Sequence, residues 1–312
     1  MILNNNDKQL LETITDLHSV PQGAYNIRKD GQSVSRQSSS NISIESLDNK
    51  NSGLKITVKN NTKNESVHIP VILSQVGIKD IVENNFVIGD NCDILIVAGC
   101  GIHATSNNKT NNQSEHSGIH KFFIGQNSKV RYVEKHYAKS NNKIKSVFNP
   151  ITEIYVGKNS IFQMESIQFD GVDFSDRKVF AKAEENAVIN VIEKISTSKK
   201  NLVKTYFKID LDGKNSASNI VSRSVAKGES VQDLVMIING NNKCFGHSEC
   251  DAITMDNAKV SAVPEINSKN CEASLVHEAA IGKIAGEQIV KLMTLGMTEE
   301  EATEKIIAGF LK

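Results

Sequence analysis

From residue 86 onwards, the chain repeats a unit of short strands separated by tight turns. Each copy has two or three strand-forming residues, a turn centred on Asn or Gly, and a second strand with apolar residues at every other position. Examples are FVIGDNCDILIVAG, IYVGKNSIFQMESIQF and ITMDNAKVSAVPEI. Because successive side chains of a strand point to opposite faces, this alternation predicts strands with one inward and one outward face.

Eight asparagines mark the predicted turns, and their spacing indicates how the strands are arranged. The last three, Asn242, Asn257 and Asn270, are 15 and 13 residues apart, whereas the earlier gaps run from 27 to 36 residues. This spacing fits two turns per coil of a solenoid; a sandwich joined by hairpins is the alternative. We therefore predict an all-β solenoid with a narrow core. The other five turn asparagines are Asn91, Asn127, Asn159, Asn186 and Asn215.

Both ends of the chain have a different, helical pattern. Leu10, Leu11, Ile14 and Leu17 follow helical spacing before SVPQGAYNIRKDG interrupts it. We predict three parts: an N-terminal helical segment at 1–30, a β-helix core at 31–280 and a C-terminal helical domain at 281–312.

The C-terminal domain is expected to be a helical hairpin over residues 284–312. Gly296 ends the first helix, and Thr298 with Glu301 forms a capping box for the second. Its apolar residues lie on more faces than a short hairpin can bury, so the hairpin either docks on the solenoid end, as a plain cap would, or binds a partner. These residues are Ile289, Leu292, Met293, Ile306 and Phe310.

Composition and charge narrow the classes of function. The 312 residues contain 36 basic and 36 acidic side chains, so no overall field directs the protein to nucleic acid or anionic lipid. No signal peptide or long apolar run is present, which predicts a soluble cytoplasmic protein. The five cysteines contain no CxxC pair, which disfavours a disulfide framework, a structural zinc site and a permanent iron-sulfur cluster.

One stretch, NKCFGHSECDAITMDNAKVSAVPEI, concentrates side chains that could carry chemistry. On a regular strand, Cys244 would share a face with Cys250, and His247 would point away. Glu249 and Asp251 flank Cys250. Elsewhere, Cys92 is expected to be a core thiol, and Cys271 could be a second thiol near this stretch.

A second candidate region is the segment from 100 to 120, interpreted as a polar loop between two repeat units. It contains Cys100, His103, His116 and His120, which are donor types that bind transition metals. We treat Cys100 and His103 as the weaker candidate metal ligands; the alternative is a flexible insertion with solvated imidazoles.

The C-terminal 70 residues resemble a known family. GHSECDAITMDNAKVSAVPEI, followed by LVHEAAIGKIAGEQIVKLMTLGMTEEEATEKIIAGFL, is similar to SufB/SufD iron-sulfur cluster assembly proteins. The resemblance implies a right-handed parallel β-helix whose C-terminal helical element docks a SufC-type ABC ATPase. It also implies that two β-helices associate near their C-terminal ends, where a transient iron-sulfur cluster forms.

The resemblance also implies roles for particular residues. SufB-type members use the Cys of the Cys-Asp pair and the acid after the His, which are Cys250 and Glu278 here; SufD types use the His, which is His277. Because this chain has all three, a homodimer would supply both halves of a cluster-ligating site, and a SufB/SufD paralogue is the alternative partner. Val276 stands where some SufB proteins carry a further acid. The chain lacks most of the N-terminal region of longer forms, so it resembles a compact single-protein type.

The expected function is therefore a scaffold rather than an enzyme. Its partners would be a SufC-type ATPase, a sulfur donor protein and apo-proteins that accept the cluster, with neither nucleic acid nor membrane. Because the sequence has no phosphate-binding loop, ATP hydrolysis would come from the ATPase subunit. Two alternatives are a β-helix carbohydrate lyase or hydrolase, disfavoured by the absence of Trp and of a secretion signal, and a purely structural assembly protein without cluster chemistry.

Overall fold

The protein is a parallel β-solenoid of about seven turns with 62% of its residues in strands. The computed structural model describes residues 4–15, 23–47, 53–103, 113–139, 144–168 and 171–312. Three short helices lie within these ranges. The predicted all-β solenoid with helical ends is confirmed, while the three domain boundaries stay a prediction.

The elements are numbered in chain order. The helices are α1 Asn5–Thr15, α2 Gly286–Thr294 and α3 Glu299–Phe310. The strands of the first half are β1 Ala24–Lys29, β2 Gln32–Gln37, β3 Ile42–Ser46, β4 Gly53–Val58, β5 Lys63–His68, β6 Val71–Leu73, β7 Lys79–Ile88, β8 Asp93–Ile102, β9 Gln113–Ile124, β10 Lys129–Ala138 and β11 Lys145–Phe148. The strands of the second half are β12 Ile151–Val156, β13 Ile161–Gln168, β14 Phe174–Ala183, β15 Val188–Thr197, β16 Leu202–Leu211, β17 Ser216–Ala226, β18 Val231–Gly240, β19 Cys244–Thr254, β20 Lys259–Ser268 and β21 Ser274–Gly282.

Two sheets form the walls of the solenoid. One has the order β2-β1-β5-β8-β10-β13-β15-β17-β19-β21, with β6 beside β1 and β8. The other has the order β20-β18-β16-β14-β11-β9-β7-β4-β3, with β12 between β9 and β14. The coils pair in parallel, and antiparallel pairs β1/β2 and β3/β4 lie at the N-terminal end. The inward faces of both sheets share a large apolar core, and a second apolar cluster includes Leu73, Cys100 and Phe148.

Five of the predicted turn asparagines form a ladder along one corner of the solenoid. Asn91, Asn127, Asn159, Asn186 and Asn215 all have φ between 54° and 58°, the left-handed region that Asn tolerates well. From Asn127 onwards, the side-chain amide of each donates to the Oδ1 of the preceding one over 3.0–3.3 Å. The other three turn asparagines do not adopt positive φ. In the turn between β19 and β20, Asp256 has the positive φ instead of Asn257.

The core contains a cluster of stacked aromatic side chains among its aliphatic residues. Phe86 and Phe122 stack with ring centroids 4.4 Å apart, and Tyr132 and Phe162 continue the cluster. All four are fully buried. Since consecutive coils repeat the same inward positions, rings on neighbouring strands come to lie on one another.

Helix α1 packs on the outer face of β8, where two glycines leave room for it. A Cβ on Gly99 would lie 2.3 Å from the backbone oxygen of Ile14, so only glycine allows this approach. The buried Asp7 of the helix accepts from Lys29 Nζ at 2.6 Å and lies 2.8 Å from His103 Nε2. The predicted N-terminal helix is confirmed, except that Leu17 lies outside the described residues.

The interpretation of residues 100–120 as a polar loop is wrong for the part that is described. Cys100 lies in β8, and His116 and His120 lie in β9, all with buried side chains. Residues 104–112 lie outside the described residues. The polar residues of β9 alternate with buried positions, because several of them face the lumen of the solenoid.

A layer of buried charge crosses the lumen between the two sheets. Arg177 of β14 donates to Glu134 of β10, lies 3.0 Å from His136 Nδ1, and places its Nε 3.7 Å from Glu193 Oε1. Burial lowers the pKa of His136 to about 3. Burial also raises the pKa of Glu193. Each buried charge in this layer lies close to one of opposite sign. An isolated buried charge would be strongly unfavourable.

The C-terminal hairpin extends from the last coil with little burial. Thr298 and Glu301 form the predicted capping box, and Gly296 has the positive φ expected after a helix end. No residue of α2 is buried, so its apolar side chains stay accessible. None of the helices in the described ranges is long and apolar enough to span a membrane.

The asparagine ladder predicts that Asn→Ala substitutions at two turns lower the free energy of unfolding by different amounts. Replacing Asn159 by Ala removes two amide hydrogen bonds and places Ala in a left-handed conformation, so we expect a loss of about 2 kcal/mol in the free energy of unfolding. Asn257→Ala, at an exposed turn position without positive φ, should cost less than about 1 kcal/mol. Urea denaturation measures both, and equal costs would contradict the role of the ladder.

The buried histidines predict a loss of stability in mild acid. Burial lowers the pKa of His120 from 6.5 to about 4, so between these pH values the unfolded chain binds a proton that the folded chain excludes. Stability should therefore fall as the pH drops through this window, by about 1.4 kcal/mol per pH unit for each such histidine. His120→Phe should flatten the measured slope by that amount. An unchanged slope in denaturant titrations at pH 4.5–6.5 would contradict this.

Candidate functional site

The candidate residues lie on the last two strands of one sheet. Strand β21 pairs with β19 in parallel, and the register places Cys250 beside Ala279 and Ser248 beside His277. Glu278 lies beside Glu249. The three candidates therefore lie on two adjacent strands, no more than two residues out of register.

Cys250 points into the lumen and is 2% exposed. Its sheet neighbour on the preceding coil is Ser222, whose hydroxyl donates to Glu193 at 2.8 Å. Burial raises the pKa of the Cys250 thiol to about 12, and the charges of Glu193 and Asp251 act in the same direction. In the single protomer this side chain is therefore a protonated thiol at neutral pH.

His277 also faces the lumen, but it is only partly buried because no further coil follows β21. Its Nδ1 lies 2.8 Å from the Ser248 hydroxyl. Burial lowers the pKa of its imidazole, and nearby His247 adds to the effect. When Nδ1–H is donated to the serine, the lone pair of Nε2 is available as a metal ligand.

Glu278 lies on the opposite side of the sheet. Its side chain is exposed on the outer face beside Glu249, which lies 3.8 Å from Arg223 Nη2. The structure thus brings Cys250 and His277 to one face of the sheet and places Glu278 on the other. Two residues that are adjacent on a strand always diverge in this way.

The remaining side chains of the stretch follow the predicted alternation. Cys244 is buried on the same face as Cys250, while His247 faces outward and lies 2.7 Å from Asn219 Oδ1. Both expectations are confirmed. Cys271 is exposed in the turn between β20 and β21.

The last coil leaves the lumen open at the C-terminal end. Ile266 of β20 and Ile281 of β21 belong to the inward-facing sets of their strands, yet they are 40% and 44% exposed. Comparable inward residues of earlier coils are covered by the next coil. An apolar layer with nothing above it favours association with another surface.

The weaker candidates, Cys100 and His103, do not converge. Cys100 faces the lumen, and burial raises the pKa of its thiol, whereas His103 bonds to Asp7 of α1 on the other side of β8. In the parts of the chain that the structure describes, no group of three or more His, Cys, Asp or Glu side chains is arranged to hold a metal ion.

The sequence reasoning missed the buried charges that line the lumen. Glu134, Arg177 and Glu193 occupy inward positions in otherwise apolar alternating strands. Their positions in the alternating pattern could have revealed them, because a charged residue at the same alternate positions as buried Val and Ile must face the core. A small cavity of about 10 Å³ near Cys250 is lined by Glu193, Thr205 and Gln232.

Comparison with known proteins identifies the family to which the chain is similar. Residues 93–310 match the family described as SUF system FeS cluster assembly, SufBD core domain. An iron-sulfur cluster assembly SufBD family protein of Archaeoglobus fulgidus is 28% identical over 235 residues, covering 75% of this chain and 61% of the relative.

Two further relatives extend this result. A SufBD family protein of Methanocaldococcus jannaschii is 27% identical over 263 residues, which is 82% of this chain and 80% of the relative. The iron-sulfur cluster assembly protein SufB of Bacillus subtilis is 38% identical over 102 residues, or 31% of this chain and 22% of the relative. The chain thus spans about 60% of the A. fulgidus relative and more of the M. jannaschii one. With most of its length matched to the family, the chain belongs to the SufB/SufD family of iron-sulfur cluster assembly proteins.

Proposed function

We propose that the protein is a scaffold of a SUF-type system on which an iron-sulfur cluster is built and then released. The observation that carries this proposal is the placement of Cys250 and His277 on the lumen face at the open end of the solenoid. Thiolate and imidazole both bind iron, and a mixed set holds a cluster less tightly than four thiolates. The cluster is cargo, so weak holding suits its transfer to apo-proteins.

A homodimer through the C-terminal coils would complete the site. One protomer offers one thiol and one imidazole on the lumen face, and a two-fold axis doubles the set. The exposed Ile266 and Ile281 supply an apolar layer that a second copy would cover. Glu278, on the outer face, would then reach the cluster only if the dimer interface extends around β21. A SufB/SufD paralogue in place of the second copy is the alternative arrangement.

The C-terminal hairpin is the proposed dock for a SufC-type ATPase. Val290, Met293 and Leu295 are 58%, 43% and 77% exposed on or just after α2. Three large exposed apolar side chains so close together, on one short helix and the residue after it, favour a protein interface. The chain itself would be no enzyme, and ATP hydrolysis would occur in the partner. A sulfur donor protein and apo-acceptors complete the proposed cytoplasmic system, which involves neither nucleic acid nor membrane.

A purely structural assembly protein is the rival function. It would need the solenoid and the hairpin but not the thiol at the open end. Cys250 is small, buried and packed with the core, which a structural role also explains. The two functions therefore differ in what happens when only the sulfur atom is changed.

Replacing Cys250 by Ser should abolish cluster assembly while preserving the fold. The hydroxyl has nearly the same volume, stays protonated at neutral pH and binds iron poorly, whereas the thiol loses its proton on binding the metal. We expect a stability loss of about 1–3 kcal/mol and no iron-sulfur absorbance after anaerobic reconstitution with iron and sulfide.

Cys92→Ser is the matched control. Cys92 is equally buried, in a corner turn far from the open end, with its Sγ 3.2 Å from Lys59 O. This variant should assemble the cluster as the parent does, at a similar cost in stability. If Cys250→Ser assembles the cluster and transfers it to an apo-protein at the parent rate, Cys250 is not a cluster ligand. A parent protein that assembles no cluster would instead support the rival structural function.

Placing a charge on the exposed face of α2 should weaken ATPase binding. Val290→Asp removes an apolar contact and would bury a carboxylate, so the dissociation constant for a SufC-type ATPase should rise at least about tenfold. Gln288→Asp, exposed on the same helix, adds the same charge and serves as control. Isothermal titration measures both; equal affinities for Val290→Asp and the parent would place the dock elsewhere.

A further inference from the structure

A serine beside His277 stands in an otherwise apolar row of the lumen. Parallel pairing sets one inward residue of each coil beside the next, and the row that ends at His277 contains Met164, Val191, Ile220 and Ser248. The three hydrophobic side chains are at most 2% exposed, and Ser248 is 1% exposed. Burying a hydroxyl in such surroundings is unfavourable unless it is hydrogen-bonded, so the serine needs a partner.

The imidazole of His277 is that partner. Ser248 Oγ lies 2.8 Å from the Nδ1 atom of His277, and the hydroxyl makes no other hydrogen bond within the part of the chain that the structure describes. Next to Ser248 on the same face, Gly246 has no side chain, and methyl groups of Ile238 and Leu275 lie 2.8 Å from where its Cβ would be. The hydroxyl therefore has an apolar wall on one side and the imidazole on the other.

This hydrogen bond can run in two directions, because a neutral imidazole carries its proton on either Nδ1 or Nε2. If Nδ1–H donated to the serine, the hydroxyl hydrogen of Ser248 would be buried with no acceptor among the described residues, which is costly. If the hydroxyl donates to Nδ1 instead, both hydrogens are satisfied, since the partly buried ring of His277 leaves its Nε2–H accessible to solvent. Hydrogen-bond pairing thus favours the second direction.

We infer that Ser248 is a positioning residue: it donates its hydroxyl hydrogen to Nδ1 of His277 and thereby keeps the ring proton on Nε2, the nitrogen that iron would otherwise bind. Iron binds there only after the ring has lost the proton at Nε2 and gained one at Nδ1, both exchanged with solvent, so the charge of the ring is unchanged. The hydrogen bond to the serine then reverses. The inference rests on the proposed function for the role of His277 as an iron ligand and adds what controls that role.

The reversal makes iron binding by His277 weaker than the same imidazole would give without the serine. Once Nδ1–H donates, the hydroxyl hydrogen of Ser248 has lost its acceptor in an apolar row, and this loss lowers the binding constant at least about fivefold. A carboxylate in the same place would have the opposite effect, because it accepts from Nδ1–H and raises the basicity of the ring. A serine donor in this position suits a scaffold whose cargo has to leave.

The tautomer of His277 in the metal-free full chain is the first measurement. In protein labelled with nitrogen-15 at histidine, protonated and unprotonated ring nitrogens have well-separated shifts, and the signals lost in His277→Gln are those of this ring. At about pH 8 the imidazole is neutral, because burial lowers its pKa below the usual value. The parent should carry the proton on Nε2, and a parent with the proton on Nδ1 would overturn the inference.

Three substitutions separate the hydrogen bond from packing. Ser248→Ala removes the donor, so the fraction of the Nδ1–H tautomer should rise at least about fivefold. Ser248→Thr keeps a hydroxyl on a residue that suits strands, and it should retain the parent's tautomer.

Ser218→Ala is the matched control. Ser218 is 2% exposed and lies beside Gly246 in the lumen, and its Oγ has no hydrogen-bond partner among the described residues. Its removal takes away the same hydroxyl without touching the ring, so the tautomer of His277 should be unchanged. Equal shifts in the two alanine variants would be an effect of packing and would contradict the role of Ser248.

The strength with which iron is held is the second measurement. After anaerobic reconstitution with iron and sulfide, a chelator should remove iron from Ser248→Ala at least about fivefold more slowly than from the parent, whereas Ser248→Thr and Ser218→Ala should match the parent. Equal or faster loss from Ser248→Ala would overturn the inference, since a serine that merely supports the ring would weaken the site when removed. A parent that assembles no cluster would contradict the proposed function, while the tautomers, measured without iron, would still decide what Ser248 does.

Discussion

The parallel backbone ladder between coils is the constraint on which the rest of this structure depends. Each coil satisfies its N–H and C=O groups only through the coil before and the coil after it, so every interior strand is held twice and each terminal strand once. The two ends of the solenoid differ in how their terminal strands are hydrogen-bonded. At the N-terminal end, β1/β2 and β3/β4 turn antiparallel and interrupt the ladder. At the C-terminal end the parallel ladder continues to β20 and β21 without such a turn, and the candidate site lies there.

The same repetition explains how polar side chains come to line the lumen. Since inward positions recur in every coil, a charge in one coil can meet its opposite in the facing sheet, as Arg177 meets Glu134 and Glu193. Such a layer contributes little net stability compared with an apolar one, but removing one member would leave a buried charge without compensation. Cys250 and His277 occupy inward positions of the same kind, but β21 covers Cys250, whereas no further coil follows His277.

Much of the fold was predictable because two local signals agree. The alternation of apolar and polar residues predicted the strands. The spacing of the turn asparagines predicted the coils, because corner turns favour residues that tolerate positive φ. The segment around His116 and His120 was misread as a loop because polar residues inside the lumen mimic a solvent-exposed pattern. The docking of α1 against Gly99 could not be predicted, because it depends on contacts between distant residues. The divergence of His277 and Glu278 could have been predicted, since neighbours on a strand face opposite ways.

The burial of Cys250 has a chemical consequence for an assembly scaffold. A thiol whose pKa is raised to about 12 is protonated and unreactive in the single protomer, which protects it from oxidation. The proposed homodimer would bring the thiols and imidazoles of both protomers to one end of the solenoid, so that an iron ion bound there would lower the thiol pKa by its own charge. The ligand would thus become reactive only when both protomers and the metal are present. The open end of the solenoid would provide such a condition, because one protomer alone offers only one of these thiols and one of these imidazoles.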